Sequence, residues 1–285
     1  MIGKSVNKLV KITRACRQTG FASCIVSRHN QRDDAGSEQP LGEDLKISLV
    51  IPAFNEERLI EDTLRHVKAA MTAFSARQWE TELIVCDNNS SDRTAELARA
   101  AGARVVFEPL NQIARARNSG AAAASGDWLV FVDADSRPSP ELFEEVAAQI
   151  QTGGCLAGGC TVKLDGHYPA ANGAVGFWNC LSRRLRWLAG SFIFCEAAAF
   201  RAVGGFSNKL FAGEELELSR KLKRLAKARG KRIVILHKHP LLTSARKVHL
   251  YTAREHLLFM AKTVLRGGKT LNSKESCPTW YDGRR

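Results

Sequence analysis

Apolar and polar positions follow one another along the chain in a repeated unit. Short apolar runs, the first at residues 47–51, lead into polar loops and then into segments with helical spacing, as in "NEERLIEDTLRHVKAAMTAF". The unit recurs in "TELIVCDNNSSDRTAELARAAG", in "ARVVFEP" before "IARARNSGAAAASG", and in "DWLVFVDAD" before "SPELFEEVAAQIQTGG". Because no hairpin signal interrupts it, this pattern predicts an α/β fold with a central, mostly parallel, Rossmann-like sheet flanked by helices in a single domain.

The pattern changes after Gly153. "CLAGGCTVKL" predicts a strand, residues 166–190 are expected to be loop-rich, and "GSFIFCEAAAFRAVGGF" predicts a strand and a short helix. "GEELELSRKLKRLAKARG" predicts a helix after a turn at Gly213, and "RIVILHKHPLLTSARK" predicts a late strand. We therefore expect a flexible basic extension at residues 1–44, the folded domain at 45–247, and a basic helix and tail at 248–285.

The charge of the chain is uneven. The net charge is +13, and from Ser219 onward there are 18 Lys and Arg residues against 3 Asp and Glu residues. Such a basic third indicates either a solvated helix face or an anionic neighbour, which would be a membrane surface, a phosphorylated ligand or nucleic acid.

The eight cysteines form no C-x-x-C pair, so we expect reduced packing residues and no zinc site. No apolar run has the length of a membrane span or of a signal-peptide core. These features predict a cytoplasmic protein, with peripheral contact at the inner membrane face through the basic C-terminal part.

Polar residues stand where the predicted strands end. Asp87 follows the second strand, and Asp133 and Asp135 follow the fourth. Because ligands bind beyond the carboxyl ends of parallel strands, these carboxylates are expected to share one edge. The chain has neither a G-x-G-x-x-G nor a P-loop motif, so a nucleotide ligand would need a metal and side chains in place of a glycine cradle.

Five segments in order resemble the family-2 inverting glycosyltransferases of the GT-A fold, over roughly residues 46–247. They are "SLVIPAFNEE", "LIVCDNNSSDRTAELA", "ARARNSG" with "SGDWLVFVDADSRPSP", "FRAVGGF" and "GEELELSRKLKRLAK". The resemblance implies transfer of a sugar, with inversion, from a nucleotide-diphosphate sugar (a UDP-sugar is favoured). The acceptor would be a hydroxyl of a glycan or lipid-linked saccharide, in polysaccharide or glycolipid biosynthesis, and the cofactor Mg²⁺ or Mn²⁺.

The resemblance also implies roles for individual residues. Asp135 would bind the metal, and Asp133 would contact the donor nucleoside or the metal's waters. Glu215 would be the general base, with Glu214 beside it, although Glu215 stands where the family has Asp. Arg246 or Lys247 would pair with the diphosphate. The donor-binding residues would be Pro52, Ala53, Phe54, Glu56, Asp87, Arg117, Asn118 and Asp133, and the candidate further metal ligands are His237, His239 and His249.

Other interpretations compete with this one. The acidic residues at 214, 215 and 217 would also stabilise a helix N-terminus without any catalytic role. A phosphatase with a D-x-D nucleophile wants a different sequence after the second Asp, and a nucleotidyltransferase of similar fold usually opens with a Gly-rich basic loop. A basic nucleic-acid-binding protein would interleave aromatic and basic residues, and from Ser219 onward aromatics are few. We therefore expect no nucleic-acid partner.

Overall fold

The computed structural model describes residues 44–166 and 168–246. The predicted extension, the C-terminal tail, Lys247 and His249 lie outside this part. The strands are β1 (Lys46–Ala53), β2 (Glu80–Asp87), β3 (Arg104–Phe107), β4 (Trp128–Val132), β5 (Ser136–Arg137), β6 (Cys155–Leu164), β7 (Phe192–Glu196) and β8 (Arg232–Thr243). The helices are α1 (Ile60–Ser75), α2 (Thr94–Ala100), α3 (Ile113–Ala123), α4 (Pro140–Gln151), α5 (Pro169–Leu185), α6 (Ala197–Ala202) and α7 (Glu214–Ala228).

The strands form one eight-stranded sheet in the order β3-β2-β1-β4-β7-β6-β8-β5. Strands β3, β2, β1 and β4 are parallel neighbours, and β6 is parallel to β8. The pairs β4–β7, β6–β7 and β5–β8 are antiparallel. The expected α/β architecture, a mostly parallel sheet flanked by helices, is confirmed.

The sheet is buried on both faces, which explains why its strands are continuous apolar runs. Leu49 and Ile51 pack with α1 and α4, whereas Val50 between them packs on the opposite face against α3. Phe131 on that second face contacts Phe206 edge-on, with ring centroids 5.2 Å apart. The strands are therefore fixed in register by two cores, one on each side.

The register brings the ends of several strands to one edge. Ala53 at the end of β1 pairs with Asp87 at the end of β2. Directly after β4, the backbone N–H of Asp133 donates to the carbonyl of Ser191, 3.2 Å away. On the far side, Thr243 of β8 pairs with Ser136, the neighbour of Asp135. Residues distant in sequence thus meet at the carboxyl ends of β1, β2 and β4.

Two elements differ from expectation. Residues 166–190 were expected to be loop-rich, but they contain the 17-residue helix α5. This helix buries only Ser182, and its two glycines and two asparagines have low helix propensity, so the sequence gives only a weak helical signal. Helix α1 begins at Ile60 rather than at position 55, because Asn55 has a positive φ of 52° and a turn precedes the helix.

Gly120 in α3 lies where the helix approaches β1. A Cβ there would lie 2.4 Å from Cγ1 of Val50, whereas one at Gly173 in α5 would meet nothing within 4 Å. We expect Gly120→Ala to lower the free energy of unfolding by about 1–3 kcal/mol through overpacking. Gly173→Ala should raise it by about 0.4–1 kcal/mol, because it restricts the unfolded chain. Urea denaturation of the two matched helical variants checks this, and equal effects would contradict it.

Candidate active site

A buried guanidinium group lies at the centre of the site. Arg117 projects from α3, and its side chain is only 2% exposed. One of its nitrogens donates to Oε1 of Glu214 at 2.6 Å, and the other donates to Oδ1 of Asp133 at 2.8 Å and to the carbonyl of Gly190 at 2.8 Å. Arg117 therefore joins the end of β4, the loop before β7 and the start of α7.

The two carboxylates keep Arg117 charged. Burial by itself lowers the pKa of Arg117, but the charges of Asp133 and Glu214 more than offset this, so that its pKa is raised. The guanidinium also lies 5.2 Å from the ring centroid of Phe206, close enough for a cation–π contact. Such a buried charge is tolerated only with its partners in place.

Glu214 and Glu215 begin α7 after a tight turn. Gly213 has a φ of 76°, a conformation that favours glycine, and directs the chain into the helix. Glu214 is buried against Arg117, whereas Glu215 is partly exposed. Desolvation, followed by the charge of Glu214, raises the pKa of Glu215 to about 8. A carboxylate with a pKa near neutrality suits a general base.

Asp133 and Asp135 lie in the short junction between β4 and β5. The backbone N–H of Ser136 donates to the carbonyl of Asp133 at 3.1 Å, which tightens the turn. The carbonyl of Asp135 accepts from the backbone N–H of Ser244 at 3.0 Å, so the end of β8 is attached directly to this turn.

These residues fit a hard divalent cation. Among residues 44–166 and 168–246, no group of three or more His, Cys, Asp and Glu side chains is arranged to hold a metal by itself. Mg²⁺ is commonly bound by one or two carboxylates that leave the remaining positions to waters and substrate phosphates. Asp135, with Asp133, offers this donor set, so these two residues would hold Mg²⁺ or Mn²⁺.

Glu56 and Arg246 form a bidentate ion pair beside the D-x-D turn. Their two N–O distances are 2.9 and 2.7 Å, and the backbone N–H of Glu56 donates to Oγ1 of Thr94 at 2.7 Å. Burial lowers the pKa of Arg246, but its hydrogen bond and charge interaction with Glu56 raise it, and the charge of Asp135 adds to this. The carboxylate expected to contact the donor thus holds the late arginine next to Asp135.

The expected nucleoside-binding residues lie at the ends of β1 and β2. Asp87 is 5% exposed, and its Oδ1 accepts from the backbone N–H of Ser90 at 3.2 Å. Pro52 and Ala53 are buried beside it, and Phe54 is partly exposed. This corner offers an acid and an aromatic side chain.

Arg117 and Asn118 were both expected near the donor, but their side chains bind protein groups. The amide of Asn118 accepts from the backbone N–H of Phe206 at 3.0 Å and donates to the Phe206 carbonyl at 2.9 Å. It therefore fastens the loop after α6 to α3. Both side chains therefore position protein segments in this structure, and their contact with the donor stays a prediction.

The two candidate histidines within the described residues, His237 and His239, form no metal-binding group with Asp133 and Asp135. Nδ1 of His239 lies 2.6 Å from Oε1 of Glu145 on α4, and His237 is exposed on β8. His239 is therefore engaged in a pair between α4 and β8.

Sequence reasoning missed two positioning residues. Gly190 supplies a carbonyl to Arg117, and a Cβ there would lie 3.3 Å from Nη2 of Arg117. Asn88 is buried and accepts from the backbone N–H of Gln112 at 2.8 Å, which fixes the entry to α3. The uninterrupted polar run "CDNN" after an apolar strand was the available signal for Asn88.

Solved structures share this fold. A mannosyltransferase from Pyrobaculum calidifontis, in complex with GDP-Man and Mn²⁺, has a TM-score of 0.55 at 19% identity and covers 70% of this chain and 56% of that one. Glucosyl-3-phosphoglycerate synthase from Mycobacterium tuberculosis, in complex with Mn²⁺, UDP and glucosyl-3-phosphoglycerate, has a TM-score of 0.53 at 22% identity and covers 78% and 77%. The fold is that of the GT-A glycosyltransferases.

The sequence itself identifies the family. Residues 48–196 match the model of glycosyl transferase family 2, so the chain belongs to that family, as its motifs indicated. An undecaprenyl-phosphate 4-deoxy-4-formamido-L-arabinose transferase of Pseudomonas fluorescens is 31% identical over 115 residues, 38% of this chain and 33% of that protein. The alignments span 26% to 33% of the length of this protein and of two other curated relatives.

Removing the buried guanidinium should destabilise the protein. Arg117→Met leaves Glu214 and Asp133 without their partner, and we expect it to lower the free energy of unfolding by about 3–5 kcal/mol. The matched control is Arg229→Met, which removes an exposed arginine 3.5 Å from Glu196 and should cost about 0–1 kcal/mol, because Glu196 keeps its pair with Lys231. Chemical denaturation gives both values, and similar values would contradict the central role of Arg117.

The raised pKa of Glu215 should make stability depend on pH. Because the folded pKa of about 8 lies above the ordinary 4.5, the contribution of this group is full below pH 4.5 and is lost as the pH rises through 8. Unfolding free energies measured between pH 5 and pH 9 should therefore fall for the wild type and fall less for Glu215→Gln. Identical slopes would show that Glu215 titrates normally.

Proposed function

We propose that this chain is a glycosyltransferase that moves a sugar, with inversion, from a nucleotide-diphosphate sugar to an acceptor hydroxyl. The observation that carries the proposal is the chain of contacts from Asp133 through Arg117 to Glu214, with Glu215 beside it. These contacts connect the aspartates suited to a metal with Glu215, a carboxylate whose pKa is near neutrality. The residues that would stabilise the leaving group and the residue that would take the proton therefore belong to one network of contacts.

The leaving-group side is formed by Asp133, Asp135 and Arg246. When bound at the two aspartates, Mg²⁺ or Mn²⁺ would offset the negative charge that develops on the leaving diphosphate. Arg246, held by Glu56 near Asp135, is positioned to contribute a fixed positive charge to the same group. Neither charge needs to move when the sugar–phosphate bond breaks, which is the condition for effective electrostatic stabilisation.

The acceptor side is formed by Glu215. As the acceptor hydroxyl attacks the anomeric carbon, Glu215 takes the hydroxyl proton, and the sugar–phosphate bond breaks on the opposite face of the ring. The buried pair of Glu214 and Arg117 fixes the first turn of α7 and hence the direction of the Glu215 side chain. A direct displacement of this kind inverts the anomeric configuration.

The class of the donor and the class of the acceptor are proposed from the corner at β1 and β2 and from the relatives. Asp87, Pro52, Ala53 and Phe54 would form the nucleoside pocket, and we favour a UDP-sugar, although the solved relatives include complexes with UDP and with GDP-Man. The curated relative named for undecaprenyl phosphate supports an acceptor that carries a lipid, and we propose a hydroxyl of a glycan or lipid-linked saccharide.

Donor binding is tested by thermal shift of the whole chain with UDP-, GDP- and dTDP-sugars, each with and without Mn²⁺. Because a ligand of the native state raises stability by mass action, one nucleotide should give a metal-dependent rise in Tm. Asp135→Asn should abolish this rise. The control is Asp127→Asn, which lies at the opposite end of β4, where Oδ2 accepts from the backbone N–H of Lys46. No metal-dependent shift with any donor would overturn the proposal.

The general base is tested separately with the donor that binds. Glu215→Gln should leave the thermal shift unchanged and lower turnover roughly 10²- to 10⁴-fold, because the acceptor proton loses its destination. Retention of full turnover by this variant would rule out Glu215 as the base while leaving donor binding intact.

A further inference from the structure

A second cluster of charge lies away from the active site. The end of α5, one side of α7 and the start of β8 line an open cavity of about 390 Å³. Its floor contains the buried side chains of Ala226 and Ile233. We call this cavity the basic pocket, after the six basic residues that line it: Arg184, Arg186, Lys223, Lys227, Lys231 and Arg232.

The positive charge of the basic pocket is largely uncompensated. In the part of the chain that the structure describes, Lys231 pairs with Glu196, and the other five basic side chains have no ion pair with a carboxylate. The Lys223 ammonium donates to the carbonyl of Leu185. Burial, followed by the positive charges of Arg186 and Arg220, lowers the pKa of Lys223. An anion in the basic pocket would relieve this repulsion.

The outward face of α5 is apolar and leads to the basic pocket. Phe177 is 71% exposed, and Arg184, seven residues later, lies on the same side of the helix. Ala170, Ala174 and Cys180 are exposed on this side as well. The helix thus presents small apolar residues and one phenylalanine to solvent and ends in positive charge.

Helix α5 also connects the basic pocket with the active-site edge. It begins at Pro169, four residues after Asp165, whose backbone N–H donates to the carbonyl of Thr243 at 3.0 Å. It then runs back along β6, where Asn179 bonds to both backbone groups of Val162. Seventeen helical residues extend about 25 Å, so one face spans from the active-site edge to the basic pocket.

We infer that this face docks on an anionic lipid surface, with headgroup phosphates in the basic pocket and Phe177 in the interfacial region. An apolar helix face next to clustered Lys and Arg is the pattern of interfacial binding.

Charge complementarity favours an anionic lipid surface over the rest of this chain or a second copy of it. Residues 247–285 carry 8 Lys and Arg residues against 3 Asp and Glu residues, and residues 1–43 carry 7 against 4, so neither end of the chain complements a basic pocket. A second copy of the face would bring the same positive charges. The docking itself does not depend on the proposed reaction, but it would hold the active-site edge beside a lipid-linked acceptor.

Vesicle co-sedimentation of the full chain tests the inference. One set of vesicles is phosphatidylcholine alone. The other is phosphatidylcholine with 30% phosphatidylglycerol, so that about one headgroup in three is anionic. The wild type should bind the anionic vesicles and not the neutral ones. Arg184→Gln/Lys227→Gln should weaken binding roughly thirtyfold, at about fivefold for each charge near the surface. Phe177→Ser should weaken it about tenfold through lost apolar contact.

Two controls match these variants in chemistry and exposure. Arg99→Gln alters an exposed arginine on α2, and Phe107→Ser alters a 59% exposed phenylalanine on β3, at the other end of the sheet. Neither should change vesicle binding, and thermal melts should confirm that all variants fold. Unaltered binding of the α5 and pocket variants would overturn the inference. The inference would also be overturned if pyrophosphate or a short RNA bound at the basic pocket while vesicles did not bind. Donor thermal shifts should be unchanged in these variants, which separates this test from that of the proposed function.

Discussion

The buried charge of Arg117 is the constraint on which the rest of the site depends. A guanidinium that is 2% exposed needs polar partners, and the chain supplies them to both terminal nitrogens from three segments distant in sequence. The carboxylate of Asp133 comes from the end of β4, that of Glu214 from the start of α7, and a carbonyl from Gly190. Because the energetic cost of losing any partner is high, these segments are held at fixed distances. The pKa of Glu215 is a consequence, since it shares this desolvated corner with Glu214.

Charged and polar residues at this edge therefore divide into two groups. Arg117, Glu56 and Asn118 are bonded to other protein groups and position them, although motif resemblance suggests donor contact for all three. Asp135 and Glu215 are only partly buried and begin or follow elements that the first group fixes. Motifs identify which residues are required but do not distinguish a residue that binds a ligand from one that orients its neighbour.

The sequence predicted those parts of the fold whose burial is local and periodic. Strands β1, β2 and β4 are apolar on both faces, and the turn at Gly213 precedes a strongly amphipathic helix. Helix α5 escaped prediction because two glycines and two asparagines weaken the helical signal of a segment that buries only Ser182. The pair of Glu56 and Arg246 joins residues 190 positions apart, and His239 is paired with Glu145 on another element. Such contacts depend on the packed sheet, which local spacing does not encode.

The chain has a net charge of +13, and its basic side chains are paired differently at the active-site edge and in the basic pocket. Arg117 and Arg246 at the active-site edge are each paired with carboxylates, so their positive charges are partly offset before a donor binds. A diphosphate arriving at that edge needs additional positive charge, which is a physical reason for a divalent cation at Asp133 and Asp135. In the basic pocket, Lys231 is the one lining residue paired with a carboxylate among the described residues. An anion can bind there through side chains alone, so the same composition supports a cation-dependent site at one edge and a cation-independent one at the other.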